Sequence, residues 1–404
     1  MELLVKSSRT AALRSLCLLV PLTTTPGTPA RVALPAPDLA GTVFIDRNAN
    51  GARDAGEPGL AGVSVSDQND VVVTGPDGAF RIPQSRGSGL LFVSVPDGYR
   101  SVGPFWRKAD SASAQRGFAF PLAPAPAPAD FVFIHASDTH ISPASLPRTQ
   151  RLRAIVDSVK PAFVLITGDL VRDALRVGEP EATGYYELFQ SERDKFTVPV
   201  WLVPGNHENF GIERYSSLIS PKNPLYGRGM YHHYFGPDYY SFTFGGVHFV
   251  GLNSVDIDDQ WYYGHVDSTQ VEWLSRDLAA VPAGIPVVTF NHIPFFTSVE
   301  TLNGYLADPP APTPITVRGK TNFRHAVSNA GDVIARITGH PYDLALGGHM
   351  HVREQLRYEG TPIRFFQTAA VVGPSEAAGL KLSSGITIYH VRGGKIDDGR
   401  FLAF

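Results

Sequence analysis

Phe131-Val-Phe-Ile-His-Ala-Ser-Asp-Thr-His140 places an apolar, β-like run directly before an aspartate and a histidine two residues apart. The arrangement recurs. Phe163-Val-Leu-Ile166 leads to Gly168-Asp169, Val200-Trp-Leu-Val203 to Gly205-Asn206-His207-Glu208, Val287-Val-Thr-Phe290 to Asn291-His292, and Leu344-Ala-Leu346 to Gly348-His349-Met350-His351. Short apolar runs closed by turn residues read as buried strands, and in open α/β sheets ligands gather beyond the carboxyl ends of strands. A single block of this kind is commonplace, because His and Asp often follow strands. Five in series are not. Together they supply two carboxylates, an Asn amide oxygen and five imidazoles, an inventory suited to two divalent cations sharing a bridging ligand. Gly205 permits the tight turn that aims Asn206 inward.

The order D-x-H, GD, GNHE, H, GHxH resembles the calcineurin-like metallophosphoesterase superfamily, from Phe131 to Val352. The resemblance implies that Asp138, His140 and His351 hold one metal, that Asn206, His292 and His349 hold the other, and that Asp169 bridges them. It makes His207 the proton donor to the leaving group and not a ligand. It also implies an α+β fold, a four-layer α-β-β-α sandwich with the metals at one end. One departure is informative: the purple acid phosphatase branch has Tyr three residues after the GD aspartate, where this chain has Arg172. A ferric-tyrosinate centre is therefore not expected. Arg172 is a candidate phosphate-binding residue, since guanidinium suits bidentate contact with phosphate oxygens, although an arginine after a strand is more often a surface residue. Glu208 is expected to bond nearby backbone. The eight histidines outside the blocks, His135 and His325 among them, are read as structural or surface residues.

The expected reaction is hydrolysis of a small phosphoester, with a hydroxide held between the cations attacking phosphorus in line. Mixed imidazole, carboxylate and amide ligation suits Mn, Fe or Zn better than Mg. The cyclic-nucleotide branch of the superfamily carries the same five blocks, so a phosphodiesterase is the main sub-reading. From another class, a non-catalytic cell-surface binding protein is the alternative. The intact ligand set argues against it.

Composition narrows the partners. The 404 residues are 43% hydrophobic and 18% charged, with a formal net charge of -3 and no long run of Lys or Arg. A nucleic-acid polymer is not an expected substrate, because backbone binding needs a concentrated basic face. Residues 1–30 have the form of a secretory signal: Lys6, Arg9 and Arg14, then Leu16–Leu22, then a Thr/Pro/Gly stretch. The apolar run is far below the ~20 residues that span a bilayer, so a secreted or periplasmic protein without a retained transmembrane segment is expected. Cys17, the only cysteine, lies in this segment, which excludes disulfides, thiol catalysis and Cys-based zinc sites from the processed chain.

Residues 31–121 read as a small β-sandwich, with alternating runs such as Thr42–Ile45 and Leu90–Val95 broken by Gly, Asp, Asn and Pro. Its opening, Asp46-Arg-Asn48-Ala-Asn50-Gly51, continues to Asp54 and Glu57 with oxygen side chains at calcium-loop spacing. This stretch resembles the SdrD B-like and Cna B-like modules of bacterial surface proteins, which implies a possible calcium site. Residues 122–130 alternate Pro and Ala and read as an extended linker. The metal blocks occupy 131–355. Strands in 356–404 are expected to complete the second sheet of the catalytic sandwich. Two amphipathic helices are predicted, Arg148–Lys160 and Ser268–Ala280, the second capped by Ser268 or Thr269. The Tyr-rich stretch Phe210–Phe244 and the Pro-rich stretch Val299–Arg324 are candidate binding loops or lids, with Tyr231, Tyr234, Tyr239 and Tyr240 either stacking on a base or sugar or, at least as readily, packing beneath the loop.

Overall fold

In the computed structural model, residues 38–299, 314–337, 339–377 and 379–404 are described. The signal segment 1–30, Cys17 and residues 300–313 of the Pro-rich loop lie outside the described residues.

Two six-stranded sheets form the centre. The first runs Val200–Val203, Phe163–Thr167, Asp130–Ala136, Gly385–Arg392, Lys395–Ile396, with Arg400–Ala403 also pairing Gly385–Arg392. The second runs Tyr240–Phe244, Val247–Leu252, Val287–Asn291, Tyr342–Gly347, Arg364–Gln367, Glu354–Arg357. All five predicted motif strands are present, the first three as parallel neighbours in one sheet and the last two as parallel neighbours in the other. Successive strand side chains point to opposite faces, so Phe133 and Phe163 face inward while Ile134, Val164 and Ile166 face outward. The inward rings join the sheets: Phe133 stacks on Phe163 at 5.4 Å, and both meet the edge of Phe249, at 5.7 and 5.2 Å.

Helices close the outer faces. Leu146–Val159 buries Leu152, Ile155 and Val156 against the first sheet. Beside it lies Glu179–Arg193, whose Ala182, Tyr185, Tyr186 and Phe189 recur at helical spacing. Ser268–Ala279 is tied to the second sheet by Asp277, which accepts from Ser241 Oγ at 2.7 Å and His248 Nε2 at 2.9 Å. Its cap is Asp267, accepting from the Gln270 N–H, and not Ser268 or Thr269. The layers are therefore α-β-β-α, as the family resemblance implied. Among the described residues no helix is long and apolar enough to cross a membrane.

The C-terminal strands divide between the sheets instead of completing one. Arg364–Gln367 joins the second sheet, but Gly385–Arg392 lies antiparallel to Asp130–Ala136 in the first, with Thr387 opposite His135 and Arg392 opposite Asp130. In the Tyr-rich stretch the packing alternative is the one found for three of the four tyrosines. Tyr231, Tyr239 and Tyr240 are buried, and the Tyr231 and Tyr240 hydroxyls donate to the Leu202 carbonyl at 3.2 and 2.7 Å.

Two four-stranded sheets make the small domain, ordered Ala79–Ile82, Leu39–Ile45, Phe118–Pro124, Tyr99–Ser101 and Val71–Val73, Ser64–Ser66, Leu90–Val93, Trp106–Lys108. Leu122 pairs with Ile45, so the Pro/Ala stretch begins inside the sandwich. The domain shares its core with the catalytic sheets: Leu91, Phe92 and Val95 join the cluster that holds Phe249, Trp273 and Leu274. Buried polar contacts fix the junction. Trp273 Nε1 donates to Ser66 Oγ at 3.1 Å, and Gln68 Nε2 donates to Asp238 Oδ1 at 2.9 Å.

Asp238 also bonds His232 Nε2 and Asn253 Nδ2, at 3.0 and 2.8 Å. Burial opposes its charge, but His232 and the nearby Arg228 hold its carboxyl well below the ordinary aspartate range. Because the folded pKa is depressed, the carboxylate stabilises the fold above the unfolded value, and that contribution is lost as pH falls toward the folded one. Replacing Asp238 by Ala, which strands buried donors and cations, should cost about 3–5 kcal/mol at pH 7. Thermal unfolding of the full chain should show the gap between wild type and Asp238→Asn narrowing on acidification from pH 7 to pH 3. A gap independent of pH would refute this account.

Candidate metal centre

The carboxyl ends of the five motif strands converge, and the turns after them carry the side chains. Backbone bonds lock the turns together: Asp138 N–H to the Gly168 carbonyl at 3.0 Å, His140 N–H to the Asp169 carbonyl at 2.9 Å, and Gly348 N–H to the His292 carbonyl at 2.9 Å. Asp138, His140, Asp169, His349 and His351 all have left-handed backbone, with φ of 54°, 37°, 49°, 71° and 57°. Such conformations cost about 1–3 kcal/mol each and persist where the surroundings over-determine them. Two glycines make room. A Cβ on Gly168 would come within 2.7 Å of the His292 ring, and one on Gly205 within 2.2 Å of Asp169 Oδ1.

Two clusters result. Asp138, His140, Asp169 and His351 form one, and Asp169, His292 and His349 the other, with the ligand atoms of each within 4.8 Å of one another. Asn206 joins the second, its Oδ1 3.1 Å from His292 Nε2. His140 Nε2 and His351 Nε2 lie 3.1 Å apart, as do His292 Nε2 and His349 Nδ1. Asp138 Oδ1 is buried without a hydrogen-bond partner. Converging imidazole lone pairs beside an orphaned carboxylate oxygen are what a pair of cations would satisfy, so the residues present fit the metals. The structure thus gathers all seven sequence-predicted ligands, while His207 and His135 fall outside both clusters.

Electrostatics divides the imidazoles. Burial pushes His140 down to about 4, and burial with His292 and His325 takes His349 well below the ordinary value. Both are neutral, the form that ligates. Burial opposes the charge on His292, but Asp169 and Asp138 raise it to about 9. Its Nδ1 donates to the Thr167 carbonyl at 2.7 Å, which leaves Nε2 toward the cluster.

Supporting contacts surround these groups. Glu208 accepts the N–H of Asp169, Leu170, Val171 and Gly205 at 2.6–3.0 Å. Four donors around two oxygens leave no acceptor for a carboxylic proton. Glu208 is therefore ionised, even though burial and Asp169 push its carboxyl up to about 8. The main chain of Arg172 matters as much as its side chain: its carbonyl accepts from His207 Nδ1 at 2.7 Å, and His140 Nδ1 lies 3.4 Å from it. Sequence reasoning missed His325, whose Nδ1 lies 2.6 Å from His349 Nε2. It sits in a loop with no motif. A cleft of about 650 Å³ opens above the clusters, lined by His140, Arg148, Arg172, His207 and Tyr262 among others.

The loop read for calcium is closed on itself. Asp46 accepts from the N–H of Asn50 and Gly51, Glu57 from those of Arg47 and Asp54, and the Asn48 and Asn50 amides both donate to Asp54.

Residues 131–353, more than half of the chain, match the family described as calcineurin-like phosphoesterase. The chain belongs to the calcineurin-like phosphoesterase family. It is a hydrolytic metallophosphoesterase, and residues 47–125 match the domain described as the N terminal of calcineurin-like phosphoesterase. A 3′,5′-cyclic-nucleotide phosphodiesterase of Nostoc sp. is 24% identical over 233 residues, 55% of this chain and 68% of that protein. Purple acid phosphatase 15 of Arabidopsis thaliana is 28% identical over 162 residues, which span 36% of this chain and 28% of the plant protein. Among solved structures, a dimetal phosphatase from Danio rerio is 16% identical with a TM-score of 0.39, over 65% of this chain and 93% of that one.

His325 holds the second nitrogen of a cluster imidazole, and such outer partners typically contribute about 10–100-fold in metal affinity. His325→Ala should weaken binding at the His292–His349 cluster by that factor and leave the Asp138–His351 cluster tighter. Stepwise metal titration by calorimetry would detect it. Unchanged affinity at both steps would make the contact incidental.

Proposed function

We propose that this calcineurin-like phosphoesterase hydrolyses small phosphoric esters with two divalent transition metals, Mn, Fe or Zn. Asp138, His140 and His351 would hold one, Asn206, His292 and His349 the other, and Asp169 both. The observation that carries the reading is that Asp169 belongs to both clusters, its Oδ2 lying 3.5 Å from His140 Nε2 and 3.3 Å from His292 Nε2. Bound there, the metals supply Lewis acidity toward a phosphoryl oxygen and acidify a water toward neutrality.

The protein groups supply the rest. The His207 N–H donates to Asp169 Oδ1 at 2.9 Å, and its Nδ1–H to the Arg172 carbonyl. The tautomer is fixed, so Nε2 faces the cleft and is free to hold a proton for the leaving oxygen. Arg172 lines the cleft and offers its guanidinium to a phosphate oxygen. A cyclic-nucleotide-type phosphodiesterase is the second reading, favoured by the Nostoc relative. The complete ligand set gives no support to a non-catalytic surface-binding role. Export belongs to the proposal on the strength of the N-terminal charge and apolar pattern.

Stripping the protein with a chelator should abolish hydrolysis of p-nitrophenyl phosphate or its bis-ester, and Mn or Zn should restore it. His207→Ala should keep its metals yet lose about 10²–10⁴-fold on alkyl esters, and much less on p-nitrophenyl esters, whose leaving group needs little protonation. A constant ratio of wild type to variant across leaving groups sinks the acid role.

We also propose calcium in the Asp46–Glu57 loop, where Asp46, Asn48, Asn50, Asp54 and Glu57 are gathered within one turn. A ligand that binds only the folded state raises its stability by mass action. Calorimetry of the full chain should then show a higher melting temperature with calcium than with a calcium-selective chelator. An unchanged transition reduces the loop to a hydrogen-bonded turn.

A further inference from the structure

Arg324 carries a guanidinium with an unmade Nε donor and packs on Tyr262, a residue that lines the catalytic cleft. Its guanidinium carbon lies 4.6 Å from the centre of the Tyr262 ring and 5.3 Å from that of Trp261. Cation–π contacts of this kind hold the side chain in place, and the guanidinium also neighbours the Tyr262 hydroxyl. Its Nε is buried with no hydrogen-bond partner. A guanidinium has five N–H donors in a fixed fork, and a buried donor left unmade is costly. This arrangement suits an anion.

Its position says which anion. Tyr262 lines the catalytic cleft and meets the His349 ring edge-on at 6.1 Å. Arg324 therefore stands one aromatic ring away from a cluster imidazole, placed to meet a group attached to a phosphoryl bound among Asp169, Asn206 and His349. On the sequence side, His325 bonds His349, so the loop that carries Arg324 is anchored to the centre itself. The cleft has Arg172 for an oxygen of the reacting phosphate, and Arg324 is not needed for that.

We propose that Arg324, positioned by Trp261 and Tyr262, binds a second phosphate of the substrate, so that the enzyme favours phosphoryl compounds, anhydrides such as ADP included, that carry another phosphate beside the one attacked by water. The inference rests on the phosphoesterase reading above and adds the substrate class.

The test uses the metal-loaded full chain, with ADP as the substrate carrying two phosphates and p-nitrophenyl phosphate as the one carrying a single phosphate. Arg324→Gln should raise KM for ADP by about tenfold, the lower end for a charge-assisted hydrogen bond, with kcat little changed. KM for p-nitrophenyl phosphate should stay within about twofold. Arg324→Lys should recover part of the loss, since it keeps the charge without the fork. An equal rise on both substrates, or none on ADP, overturns the proposal. If the wild type hydrolyses neither compound, the monoester form of the phosphoesterase reading is what fails, and binding decides this inference separately. Calorimetry should then show Arg324→Gln losing inorganic pyrophosphate by about tenfold while keeping orthophosphate. Equal loss of the two, or loss of neither, overturns it.

Discussion

Asp169 has to satisfy two half-sites at once, and that demand organises the surrounding chain. Its carboxylate faces His140 and His292 from opposite cation clusters, while its Oδ1 also takes the His207 N–H. For one side chain to reach both, its backbone adopts a left-handed conformation between Gly168 and Leu170. Glu208 holds that conformation in place by accepting the N–H groups on either side of the turn, with the Gly205 N–H as a fourth donor. The GD turn and the GNHE turn are thereby one unit. Burying an ionised carboxylate is tolerable only with such a set of donors.

The two-sheet architecture serves the same demand. Asp138 and Asp169 leave one sheet, His292, His349 and His351 the other, and the clusters sit where the two sets of strand ends meet. A relative slide of the sheets would pull His292 from Asp169, so the ring contacts among Phe133, Phe163 and Phe249 set the geometry of the centre as well as filling the core. Aromatic interiors packed to this density move as units and not as fluids.

Much of this was legible because it is local. Strand, turn and ligand are contiguous in Phe131–His140 or Val200–Glu208, so a run of apolar residues and a glycine sufficed to place Asp138 and Asn206. The helix Leu146–Val159 showed itself through Leu152, Ile155 and Val156, and Ala182, Tyr185, Tyr186 and Phe189 carry the same periodicity in a helix that was passed over. What escaped is non-local. Nothing near Gly385–Arg392 says that its partner is Asp130–Ala136, because pairing across some 250 residues depends on register and not on composition. His325 is set beside His349 by the fold alone. The Arg172 carbonyl is invisible in principle, since any residue there has one. The linker reading met a similar limit: alternating Pro and Ala looks extended, and extended backbone is also what a strand such as Phe118–Pro124 requires.

The junction between the domains has a consequence for synthesis. Gln68 is 1% exposed and Ser66 3% exposed in the finished protein, yet their partners Asp238 and Trp273 lie about 170 and 207 residues further along the chain. At roughly 5–20 residues per second, a ribosome takes on the order of ten to forty seconds to supply them. Throughout that interval the small domain, though first to emerge, presents an apolar face around Phe92 and Val95 with nothing to cover it. Folding of this chain is therefore not a simple march from the N terminus. The nascent domain must wait, and whatever shields that face during the wait determines how much of the product reaches the native state.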